Sequence, residues 1–78
     1  MEKELSEIAN GIRQRKGEEP LAEIGAKTRL RADFGFDSFD LAELAVRVEE
    51  KFGADVFERG NVETFGELCE RAAQAKKS

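Results

Sequence analysis

Leu41, Leu44, Ala45, Val48 and Phe52 recur at helical spacing within residues 38–52, and Gly53 closes the stretch. Inward residues of a strand alternate, so a stripe of this period reads as one face of a helix. The glycine falls where a helix end takes a left-handed backbone. An amphipathic helix of this kind cannot stand alone in water, so the rest of the chain must cover its stripe.

The same period appears twice more. Leu5, Ile8, Ala9 and Ile12 predict a first helix over roughly residues 3–16, with Gly11 inside it as a weak point. Phe65, Leu68, Cys69 and Ala72 predict a last helix running to about residue 75, with Lys76 and Lys77 set to complement its dipole. Thr64-Phe65-Gly66-Glu67 ahead of it fits the capping box, Ser or Thr followed three residues later by Glu. No alternating segment rich in Val, Ile and Thr supports a sheet.

The connection over 17–37 is long for so small a chain. Its spaced apolar residues Leu21, Ile24, Leu30, Phe34 and Phe36 are expected to pin it to the core. Val56 and Phe57 are expected to plug in after the second helix, with a short turn of helix near 57–60. The expected fold is all-α, a small three-to-four-helix bundle with a long first loop, as a single domain over residues 1–78.

Such a chain buries only about 60% of its unfolded surface, which leaves little room for an enclosed active site. A net charge of −4 argues against nucleic acid, whose phosphates need clustered Lys and Arg. One cysteine forms no internal disulfide, and with no histidine present no zinc pattern can be written. Cys69, on the apolar stripe, reads as a small buried hydrophobe. No apolar run is long enough for membrane insertion, and the expectation is a cytoplasmic monomer.

The chemistry concentrates in Asp33-Phe34-Gly35-Phe36-Asp37-Ser38-Phe39-Asp40. Ser38 lies where a loop becomes a helix. As a nucleophile it would need a base within reach, and the chain offers neither histidine nor a Ser-Lys arrangement. The residues leave three roles open: helix cap, phosphorylation site or attachment point. At 100° per residue, Phe39, Glu43, Val46 and Glu50 project opposite the apolar stripe, flanked by Ala42 and Glu49. With Asp40 in the first turn, these form a candidate docking face, apolar anchors among acidic steering groups, suited to basic partners. Arg47 and Lys51 stand at its margin.

Asp37-Ser38-Phe39, preceded by Gly35 and followed by Leu44, Glu49 and Phe52, resembles the acyl carrier protein signature, most closely over residues 28–68. The resemblance implies a non-catalytic carrier with 4′-phosphopantetheine attached covalently to Ser38. A phosphopantetheinyl transferase would deliver the arm from coenzyme A, reading Asp37 as the acidic neighbour. Acyl chains would ride on it as thioesters in fatty-acid, polyketide or related specialised biosynthesis. A stand-alone peptidyl or aminoacyl carrier, or a helical interaction protein without a prosthetic group, is the alternative. The resemblance puts Phe39, Glu43, Val46 and Glu50 at partner-recognition positions and Leu44, Val48, Phe52, Phe65 and Leu68 around an interior that shelters the acyl chain. Three departures point to a specialised member: Phe39 in place of an aliphatic residue, a short segment between Phe52 and Thr64, and the cations Arg47 and Lys51.

Overall fold

A computed structural model describes residues 2–53, 55–57 and 60–77, with side chains as far as residue 74. Its helices are α1 (Glu2–Arg15), α2 (Ser38–Phe52) and α3 (Phe65–Lys77). Among the described residues there is no strand, only an isolated antiparallel bridge between Arg29 and Thr64. The all-α bundle expected from the periodicity is therefore the fold. Two expectations, the middle of the turn near 57–60 and the Lys76 and Lys77 side chains, lie outside the described residues; the ends of that turn are joined, the Phe57 carbonyl accepting from the Gly60 amide.

Each helix contributes the face its period foretold. Leu5, Ala9 and Ile12 of α1, Leu44 and Val48 of α2, and Phe65, Leu68 and Ala72 of α3 are buried together. Gly53 takes φ 68° and donates its amide to the Glu49 carbonyl, which ends α2 where expected. The Thr64 hydroxyl accepts from the Glu67 amide at 3.2 Å, the first half of the capping box.

The connection between α1 and α2 is ordered by its own side chains. Leu30, Phe34 and Phe36 are buried, and the Phe34 and Phe36 rings stack at 5.1 Å. Polar groups of α1 hold its backbone: Asn10 exchanges hydrogen bonds with Leu21, and Arg13 donates to the carbonyls of Glu19 and Phe34. At its far end, Leu30 donates to the Glu63 carbonyl, Phe65 to Thr28 and Gly66 to Ala26. The loop thus ties α1 to the start of α3, and its last residues set the direction in which α2 leaves.

Gly66 owes its identity to that tie. A Cβ there would lie 2.8 Å from the Ala26 carbonyl oxygen and 2.9 Å from its Cβ. Gly66→Ala is expected to lose about 1–2 kcal/mol, the overpacking exceeding the helix-propensity gain. Gly11, within α1, has nothing within 4 Å of its added Cβ, and Gly11→Ala should gain up to about 1 kcal/mol. Urea melts of the two variants should therefore move to opposite sides of the parent; shifts of the same sign would refute the packing argument.

Cys69 packs against the core from α3 with part of its surface exposed. Burial, aided by the Glu2 carboxylate, pushes its thiol up to about 11. At neutral pH it is a protonated, weakly nucleophilic side chain.

Candidate functional site

The eight residues from Asp33 to Asp40 divide sharply between inside and outside. Phe34 and Phe36 point inward, while Ser38 and Phe39 point out. Gly35 between the two buried rings takes φ 72°, a left-handed conformation that lets the chain turn without a Cβ clash.

Asp37 is the N-cap of α2. Its carboxylate accepts from the Asp40 amide at 2.9 Å, and the Asp40 carboxylate accepts from the Asp37 amide at 3.0 Å. This reciprocal box leaves Ser38 as the first helical residue. Capping, one of the roles open to Ser38, is performed by its neighbour. The Ser38 hydroxyl is exposed and engages no described residue.

Asp40, expected on the docking face, is instead only 7% exposed. Lys16, just past the end of α1, donates to its Oδ2 at 2.6 Å and to the Gly35 carbonyl at 3.1 Å. Burial would raise the Asp40 carboxyl, but the Lys16 and Asp37 hydrogen bonds outweigh it and hold it below its ordinary 3.8. Lys16 is raised above 10.5, chiefly by that same bond. The depressed carboxyl stabilises the fold above its unfolded value and loses that contribution as pH falls through the folded one. The raised ammonium contributes in full below its own unfolded value and fails only as pH rises through the folded one. The latch is thus intact at neutral pH and opens on the acid side below pH 3.8. Asp40→Asn is expected to lower the urea midpoint at pH 7 and to shrink the parent's loss of stability between pH 6 and pH 3. Identical acid profiles for parent and variant would remove the latch from the account.

Along α2, Phe39 is 84% exposed and Val46 is 53% exposed; these are the exposed large hydrophobic side chains among the described residues. Seven residues apart, they lie on nearly one line down the helix. Ala42, Glu49 and Glu50 are exposed around them. Glu43 differs from the projection. Its side chain is 19% exposed, accepts from Arg47 Nε at 2.9 Å one turn along, and pairs with Arg15 at the end of α1. The helical angle put Glu43 outside; the approach of α1 turned it into a bridging group, neutralised from two sides. The face therefore presents an apolar pair, with its free acidity displaced toward Glu49 and Glu50.

The interior positions linked to sheltering an acyl chain are closely packed. Leu44, Val48 and Leu68 have no exposed surface, Phe65 is buried, and Phe52 packs partly buried against them. A surface cleft of about 270 Å³ opens instead between separate segments, its lining including Leu41, Phe57 and Val62 together with Arg29 and Arg31. Sequence reasoning did not find it, since its wall is drawn from three separate segments.

The arrangement suits a covalently attached anion. A phosphate on Ser38 Oγ would sit at the positive end of the α2 dipole, beside first-turn amides. None of the described helices is long and apolar enough to cross a membrane. Comparison with curated proteins and with solved structures yields no match. The model of the phosphopantetheine attachment site family matches residues 6–71, a span that runs from α1 through Ser38 into α3. With that serine exposed and its capping duty taken by Asp37, the chain belongs to this family of carrier domains, whose phosphopantetheine group is bound covalently.

Proposed function

We propose that Ser38 Oγ is the attachment point of the phosphopantetheine arm, and that the chain carries acyl groups in fatty-acid, polyketide or related specialised biosynthesis. The observation that carries this is the exposed, unengaged hydroxyl at the first position of a helix already capped by Asp37. Attachment forms a bond from Ser38 Oγ to the pantetheine-bearing phosphorus of coenzyme A and breaks its phosphoanhydride, releasing adenosine bisphosphate. The hydroxyl proton must pass to the transferase or to water, because the chain has no histidine and the Asp37 carboxylate holds the Asp40 amide. The arm supplies the thiol on which acyl groups travel.

The residues around Ser38 orient and present. Lys16 and Asp40 hold the turn, and the helix N-terminus favours the phosphate charge. Phe39 and Val46 anchor transferase and biosynthetic partners, with Ala42, Glu49 and Glu50 around them and Glu43 bridging to α1. The chain performs no catalysis of its own; a tether raises the local concentration of cargo at each docked enzyme.

Incubation with coenzyme A, magnesium and a broad-range phosphopantetheinyl transferase should add one phosphopantetheine to the intact mass, and tryptic mapping should find it on the peptide containing Ser38. An unchanged mass with several transferases would sink the assignment. Phe39→Ala should lower the modification rate by roughly tenfold, as loss of an exposed aromatic anchor does, with the circular dichroism unchanged. An undiminished rate would exclude Phe39 from transferase docking.

A further inference from the structure

The chain is acidic overall, and most of its described arginines are engaged. Arg13 binds Glu18 and the Phe34 carbonyl, Arg15 and Arg47 share Glu43, and Arg71 donates to the carbonyls of Gly60 and Asn61. Among the described arginines, Arg29 and Arg31 alone have guanidinium groups without a partner. Both border the same 270 Å³ cleft. Asp33, the carboxylate next to them in sequence, accepts from the Arg29 backbone amide at 2.7 Å and pairs with neither guanidinium. Glu63 is the acidic residue in the cleft wall, and it forms no ion pair with either.

The cleft combines apolar Leu41, Phe57 and Val62 with Arg29 and Arg31, and Asn61 and Glu63 complete its polar lining. Val62 is buried, and Leu41 and Phe57 are partly buried against the core. Leu41 stands three residues after Ser38, and side chains at that spacing are neighbours on a helix surface. The wall of the cleft therefore begins about 4.5 Å along the helix axis from the attachment residue. An acyl chain on an arm attached at Ser38 and laid back over α2 would meet apolar side chains and the two arginines in one cleft.

We infer that this cleft receives an acyl chain whose far end is anionic, a carboxylate held by Arg29 and Arg31. A guanidinium pairs with a carboxylate through two parallel hydrogen bonds, which a wholly aliphatic chain cannot offer. The apolar side chains take the methylene stretch, and the arginine pair selects the terminal charge. The assignment rests on Ser38 being the attachment point.

The test compares two cargoes of equal length, adipoyl and hexanoyl, installed from their coenzyme A thioesters by a broad-range transferase. Intact mass first verifies loading of each. Failure to load either would overturn the attachment reading, and this inference with it. Once both are loaded, thioester cleavage by hydroxylamine is timed and normalised to the same thioester on free coenzyme A. The adipoyl form should be protected roughly threefold to tenfold more than the hexanoyl form, the scale of two partly exposed ion pairs. Arg29→Gln/Arg31→Gln should bring adipoyl to the hexanoyl rate and leave the hexanoyl rate alone. The Arg29 and Arg31 Nε–H resonances should shift with adipoyl but not with the unacylated arm. Equal protection of the two cargoes would overturn the inference while leaving Ser38 attachment standing. So would equal loss of protection for both in the double variant, or arginine shifts already present with the unacylated arm, which would give these residues to its phosphate.

Discussion

Ser38→Ala is expected to fold as the parent does and to accept no phosphopantetheine at all. The two halves of this result have separate causes. The capping box is made by Asp37 and Asp40, so removing the Ser38 hydroxyl breaks none of its bonds. Alanine is also well tolerated within a helix, so stability should stay within about 0.5 kcal/mol of the parent. Modification fails outright because no other oxygen occupies the first position of α2. Asp37→Ala provides the contrast: loss of the cap should cost about 1 kcal/mol and loosen the turn that presents the serine. Circular dichroism, urea melts and intact mass on the three proteins check both halves. Residual uptake by the Ser38 variant would move the attachment point elsewhere.

Phe34→Ala should produce the largest loss of stability. Phe34 is the largest fully buried side chain among the described residues, stacked on Phe36 with its carbonyl accepting from Arg13 at 2.6 Å. Truncating a buried phenylalanine costs about 3–5 kcal/mol. A domain of this size has a total stability of roughly 4–12 kcal/mol, so the variant should be partly unfolded at modest urea. The damage should extend to function, because the same loop carries Gly35 to Asp37 into the start of α2. Phe39→Ala removes the same ring five residues later, at a site 84% exposed, and should cost under about 0.5 kcal/mol. Similar urea midpoints for the two variants would contradict the division between inner and outer rings.

That division was legible along the chain only in part. The bounds of α2 and its glycine stop follow from local period and capping chemistry, and the structure reproduces them at Ser38, Phe52 and Gly53. The buried faces of α1 and α3 follow for the same reason: a helix with a 3.6-residue stripe can bury only that stripe. Phe34 and Phe36 could be expected to pin the loop, and Phe39 and Val46 to stand outside.

Asp40 and Glu43 were not legible. Both lie on a helix whose projection is simple, yet their surroundings depend on Lys16 and Arg15 at the end of α1. Which residue caps the helix was also undecided, since Asp and Ser are both good caps. Asp37 takes the place, its carboxylate accepting from the Asp40 amide, while Asp40 Oδ2 accepts from both the Asp37 amide and Lys16.

By itself, then, the sequence determined three helices, their inward faces and a serine with no base to make it catalytic. These are matters of neighbours within a turn or two, where spacing and side-chain type suffice. Tertiary structure alone decided that Lys16 holds Asp40, that Glu43 is neutralised, and that two unpartnered arginines share one cleft beside Leu41. Such facts arise where a long connection folds back and sets charges from distant segments side by side, and no local pattern encodes that distance.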